Sequence, residues 1–196
     1  AVGVEREDGA LRNGRPLLTG YAQSKWIAEA LVQEAGARGL PVSVYRPVEL
    51  VWHSRTGAMN RSDVLHRYLR ACLQLGCIPP AEVVEHTLPQ QWIAVNYAEA
   101  ALVELSLRAP PGTYHLVSPH EERWADVHAD IVAVARELGQ RLDIVPHARW
   151  LAGLRSRGAS ALGPLAQLFL DAPEQAPRLD AGTLLRAEAT WRALRA

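Results

Sequence analysis

Tyr21-Ala22-Gln23-Ser24-Lys25-Trp26-Ile27-Ala28-Glu29-Ala30-Leu31-Val32, followed by Gly39-Leu40-Pro41-Val42-Ser43-Val44-Tyr45-Arg46-Pro47, decides the fold class of this chain. The first run continues to Arg38. It carries Ile27, Leu31 and Val32 at helical spacing, with Thr19 or Gly20 as its cap and Gly39 as its stop. Val42-Ser43-Val44-Tyr45 is short and rich in β-branched residues, and Pro41 and Pro47 bound it, which suits a buried strand. Helix, tight turn and buried strand in succession make one step of a parallel βαβ sheet.

The pattern outside this step is consistent with an α/β chain. Residues 1–18 read as a loop, with turn signals at Asp8-Gly9 and Asn13-Gly14. Ser62 is placed to cap a helix bearing Val64, Leu65, Tyr68, Leu69 and Cys72 and ending near Gly76. Val83-Val84 and Trp92 to Val95 read as short extended pieces, and Asn96 as the cap of a helix over Tyr97 to Leu107. Thr113 to Val117 is a strand candidate. Trp124, Val127, Ile131, Val134 and Leu138 mark an amphipathic helix stopped by Gly139. Leu142 to Val145 reads as a short strand. From Arg149 the pattern is helical, with breaks at Gly158, Pro164 and Pro173.

Composition narrows the function classes. The 196 residues make room for one ordinary domain or a little more, and 48% hydrophobic with 21% charged residues supports a packed core. Lys+Arg 21 against Asp+Glu 21 leaves no net charge, which argues against a nucleic-acid partner and against a polybasic membrane surface. The uncharged stretch Gly158 to Leu170 is too short to span a bilayer and contains Gly163 and Pro164. A soluble, cytoplasmic protein is the expectation. Cys72 and Cys77 match neither a redox nor a zinc spacing and read as core or surface thiols. The chain starts at Ala1 rather than Met, as a processed protein or a piece of a longer chain would.

Tyr21 and Lys25 are the candidate chemistry. A spacing of four puts both side chains on one helix face, and an ammonium beside a phenol favours the phenolate form, easing proton exchange with a reacting oxygen. Lys25 is the single Lys among the basic residues, all others being Arg, which marks a position where a point charge is wanted rather than a planar fork. His115, His120 and His128 follow no ligand spacing, so no metal site is expected. Trp26, Trp92, Trp124 and Trp150 read as packing residues, Glu121-Glu122-Arg123 as a solvated helix start, and Asp63 and Glu29 as capping or surface groups.

The run Tyr21 to Val32 with Tyr45-Arg46-Pro47 resembles the extended short-chain dehydrogenase/reductase superfamily. It is most similar to the thioester reductase domains of nonribosomal peptide synthetases and carboxylic acid reductases. Ser54-Arg55-Thr56-Gly57-Ala58, Cys72-Leu73-Gln74-Leu75-Gly76, Trp92-Ile93-Ala94-Val95-Asn96-Tyr97, Tyr114 to Pro119 and Pro146 to Leu151 carry the resemblance through most of the chain. It implies NADPH as hydride donor to an acyl thioester on the phosphopantetheine arm of a carrier protein, giving an aldehyde or alcohol. It implies Tyr21 as proton donor and Lys25 as the holder of the nicotinamide ribose. Pro47 and Val48 would lie against the nicotinamide, and Ser54, Arg55, Thr56 and Gly57 along the substrate channel.

The sequence also departs from that pattern. No strand–glycine–helix unit for a pyrophosphate is recognisable, and the family's catalytic Ser/Thr precedes the Tyr by more residues than the chain supplies. Val48 stands where the family has Gly after Arg-Pro, and Ala94 and Asn96 stand for Pro and Asp. The expected architecture is the C-terminal portion of a Rossmann-like parallel-sheet domain plus a mostly helical substrate lobe. The sheet part takes about 1–52 and 82–118, and the lobe about 53–81 and 119–196. The upstream part of the same domain is then a partner, and this chain alone is expected to bind NADPH weakly or not at all. The alternative readings are another extended short-chain reductase, of fatty acyl-CoA or sugar-nucleotide type, or an inactive fragment that only docks a carrier protein.

Overall fold

A computed structural model describes residues 3–8, 20–85, 91–120, 122–158 and 183–195. In chain order the elements are β1 (Gly3–Glu5), α1 (Gly20–Ala37), β2 (Val44–Pro47), β3 (Glu49–Val51), α2 (Val64–Leu75), β4 (Cys77–Ile78) and α3 (Ala81–Glu85). They continue with β5 (Trp92–Ala94), α4 (Val95–Arg108), β6 (Thr113–Leu116), α5 (Trp124–Glu137), β7 (Asp143–Ile144) and α6 (His147–Gly153). A π-helical turn (Leu154–Gly158), β8 (Thr183–Leu185) and α7 (Glu188–Leu194) follow. The chain is α/β with parallel strand pairs, as the βαβ step requires. Among the described residues, no helix is long and apolar enough to cross a membrane.

The chain divides into two compact units. Among the described residues, the sheet unit takes 3–8, 20–50, 93–117 and 183–195, and the helical unit takes 51–85, 91–92, 118–120 and 122–158. Residues 183–195 therefore go with the sheet unit, whereas the sequence pattern assigned them to the lobe.

In the sheet unit β2 pairs with β6 in parallel, Val44 opposite Thr113 and Pro47 opposite Leu116. The register sets Tyr45 beside Tyr114, and their rings stack with centroids 5.9 Å apart. Ile93, Ala98, Ala101, Leu105, Tyr114 and Leu116 form the core beneath them. The strand begins two residues later than its sequence pattern predicts. Gly36 of α1 explains part of the turn geometry: a Cβ there would stand 2.6 Å from Val42 Cγ2, so the bare backbone lets the chain fold back closely. β1 pairs with β8, Gly3 opposite Thr183, which corrects both the loop expected at the start and the helix expected near the end.

The helical unit is built around aromatic rings. Trp124 and Trp150 are buried with Tyr68 between them, and Trp92 meets Trp124 edge-on at 5.1 Å. The packing role read for these three tryptophans holds. Asp63 rather than Ser62 caps α2, accepting from the Leu65 amide at 2.8 Å, and Gly76 ends the helix with a φ of 67°. Val83-Val84 lies in helix α3 instead of a strand, and Asn96 sits inside α4, which starts one residue earlier. Cys72 is buried and its thiol is pushed up to about 12 by loss of solvation, consistent with a core thiol.

His128 is buried in this unit, with Nε2 3.0 Å from the Tyr68 hydroxyl and Nδ1 without a hydrogen-bond partner. Burial pushes its pKa down to about 4, against a smaller opposing pull from Glu82. The unfolded chain, with an ordinary histidine near 6.5, binds the proton more readily, so stability is full above about 6.5 and falls as pH drops toward 4. Between pH 7 and 5 this one group is expected to cost about 2 kcal/mol. Urea unfolding at the two pH values measures it, and His128→Gln is expected to flatten most of that slope.

Candidate active site

Tyr21 and Lys25 both point into solvent from the first two turns of α1, with the Lys25 ammonium 5.6 Å from the centre of the Tyr21 ring. The structure thus brings the two candidate groups together on an exposed helix face. Ser24 stays on its own helix, its hydroxyl donating to the Tyr21 carbonyl at 2.8 Å.

The helix face that bears them is anchored one turn further on. Glu29 follows Lys25 by four residues, and its carboxylate takes two N–H groups of the Arg46 guanidinium, the Nε contact at 3.0 Å. Arg46 lies in β2, immediately before Pro47, so one ion pair joins the Tyr–Lys helix to the strand expected under the nicotinamide. Glu5 of β1 adds a second carboxylate at 3.2 Å from Nη1. Sequence reasoning gave Glu29 a surface or capping role. The structure makes it the half-buried partner of Arg46, and the repeat of the four-residue spacing from Tyr21 through Lys25 was the signal that could have found it.

His115 extends the network. The carbonyl of Arg186 receives the Nδ1 proton at 2.8 Å, which leaves Nε2 to accept from Arg46 Nη1 at 3.1 Å. Burial holds the imidazole below its usual pKa, and the neighbouring guanidinium works in the same direction. His115 is therefore a neutral structural link. The Glu7 carboxylate accepts from the backbone N–H groups of His115 (3.1 Å), Ala189 (2.7 Å) and Thr190 (3.0 Å), and from the Thr190 hydroxyl.

Pro47 is exposed at the end of β2. Val48 is half-buried, with its N–H donated to the Leu116 carbonyl at 3.1 Å and its side chain packed against the sheet-unit core. The bulk that replaces the family's Gly is thereby taken into the core contacts. Ser54, Arg55, Thr56 and Gly57 belong to the helical unit and form an exposed turn closed on His53. The His53 carbonyl accepts from Thr56 (3.3 Å) and Gly57 (2.8 Å), its Nδ1 accepts from the Arg55 amide at 3.2 Å, and its N–H bonds the Ala58 carbonyl at 2.8 Å. Gly57 has a φ of +68°, the left-handed conformation that this turn needs at that place. His53 was missed as the organiser of the loop, since nothing in its spacing announces the role.

Three comparisons bear on this arrangement. The profile of the family described as Male sterility protein, an NAD-binding family, matches residues 4–99. The chain is similar to the non-canonical nonribosomal peptide synthetase hkm10 of Aspergillus hancockii, 31% identical over 176 residues, 86% of this chain and 17% of the relative. It is 33% identical over 171 residues to the L-2-aminoadipate reductase large subunit of Eremothecium gossypii, 86% of this chain and 12% of the relative. Among solved structures, the terminal R domain of the myxalamid PKS-NRPS pathway matches with a TM-score of 0.79 and 36% identity over 100% of this chain and 48% of that one. The chain thus spans less than a fifth of these curated relatives and about half of the solved domain.

Proposed function

The chain belongs to the reductase-domain family of the nonribosomal peptide synthetases, and on that premise we propose that it serves NADPH-dependent reduction of an acyl thioester carried on the phosphopantetheine arm of a carrier protein. Hydride and proton addition to the thioester carbonyl gives a hemithioacetal, whose C–S bond then breaks to leave the pantetheine thiol on the carrier and an aldehyde as product; a second hydride and proton make it an alcohol. The observation that carries this reading is the pairing of Tyr21 and Lys25 on an open helix face that Glu29 ties to the strand ending in Pro47.

A phenol ring with an ammonium 5.6 Å from its centre, both reachable from solvent, is suited to hold the nicotinamide-ribose end of the cofactor. The pyrophosphate end needs the amides of a strand–glycine–helix turn, which is not found among the described residues, and we assign that end to the upstream part of the domain. Bound NADPH supplies the hydride. Tyr21 donates its Oη proton to the carbonyl oxygen as negative charge gathers there. Lys25 holds the ribose hydroxyls and stabilises the phenolate that Tyr21 becomes. Glu29 and Arg46 keep the helix in register with β2, so that the donor does not drift from the carbonyl. The Ser54 to Gly57 turn is proposed to face the acyl and pantetheine channel, and the reaction to run in the cytoplasm.

NADPH oxidation by the chain expressed with its in-frame upstream coding segment tests the reading, with loss of the cofactor's near-ultraviolet absorbance as readout. Turnover that requires an acylated carrier protein is the expected result. Turnover with a free acyl-CoA or a nucleotide sugar instead would move the chain to a sister reductase class, and no turnover with any of the three would overturn the reductase reading.

A further inference from the structure

The helical unit holds an apolar pocket of about 520 Å³ between α2 and α5, within the range of about 300–1,000 Å³ usual for small-molecule sites. Trp52 and Trp92 supply flat walls, Leu69 and Leu73 come from α2, and Ile131 and Val134 from α5. Trp92 is held in place by its edge-on contact with Trp124. The charged residues lining the pocket are Glu122 and Asp130, both acidic. Asp126, on the turn between them, is already engaged by Arg123 at 2.9 Å. Among the described residues that line it there is no Lys, Arg or His, so an anion entering here meets two carboxylates.

We propose that this pocket is a binding site for hydrophobic ammonium compounds, an alkyl or aryl group lying against the indoles and aliphatic walls with its protonated amine at Glu122 and Asp130. The walls supply affinity through buried apolar area, and the indole faces add attraction for a cation. The two carboxylates supply the choice of charge. This site is independent of the reductase reading, since it needs neither Tyr21 nor a cofactor.

Calorimetric titration of the full chain at pH 7 with decylammonium, decanol and decanoate, each below its micelle concentration, tests it. Decylammonium is expected to bind at least about tenfold more tightly than decanoate, with decanol between them. The double variant Glu122→Gln/Asp130→Asn is expected to bring the three within about twofold of one another. Leu73→Arg places a cation on a solvent-open part of the wall, so it is expected to weaken decylammonium by about tenfold or more while leaving the circular dichroism spectrum unchanged. Equal affinity for all three probes, preference for decanoate, or no binding of decylammonium would overturn the proposal.

Discussion

Tyr21→Phe is expected to lower carrier-thioester-dependent NADPH oxidation by about 10³-fold in the completed enzyme, in the range of about 10²–10⁴ that a positioned general acid contributes. The ring stays and the residue is 74% exposed, so the loss reads on chemistry rather than on folding. NADPH affinity is expected to stay within about twofold, because the ribose is held by Lys25 and an interaction made in the transition state lowers kcat without moving ground-state binding. Lys25→Met is expected to differ in kind, raising the NADPH Kd as well as slowing turnover. A Tyr21→Phe enzyme that turns over at the normal rate would remove Tyr21 from the proton-donor role.

Arg46→Met is expected to lower the stability of the sheet unit by about 3 kcal/mol, the lower end of the cost of stripping one partner from a buried ion pair, because Glu5 is partly exposed and water recovers some of the loss. The Arg46 side chain is 14% exposed and the Glu29 side chain 20%, so the abandoned Glu29 carboxylate keeps the Gln33 amide, which donates to it at 3.0 Å, and has little solvent to make up the rest. His115 loses its Nε2 donor in the same step. The double variant Arg46→Met/Glu29→Met is expected to recover about half of the loss, as an apolar pair of similar volume does when it replaces buried charges. Urea unfolding of the single and double variants checks the sign. A double variant less stable than Arg46→Met alone would show that the Gln33 amide and water satisfy Glu29 without Arg46.

The parts of the fold that the sequence made readable are those whose cause is local. Helix α1, strand β6 and helix α5 follow from periodicity and from stops such as Gly39 and Gly139, whose φ values are 96° and 70°. Tyr21 and Lys25 were readable for the same reason, four residues apart on one helix. The apolar spacing of Ile27, Leu31 and Val32 was equally plain, yet all three stand exposed, because periodicity reports which face is apolar and not what covers it. Strands β1 and β8 were unreadable: three residues carry too little pattern, and each is a strand only because the other lies across from it at the far end of the sequence. Glu29 and Arg46 are 17 residues apart, and the Trp52–Trp92 pocket joins helices from different parts of the chain, so neither could be found without the tertiary structure.

Glu7 gives the sheet unit an unusual economy. One carboxylate grips the amide of His115 and the opening turn of α7, while the neighbouring strand β1 lies against β8. Two stretches far apart in the sequence thus fasten like a clasp onto β6, and trimming either would release the other. Any shortened version, fusion or affinity tag has to spare residues 3–7 and 183–190 together.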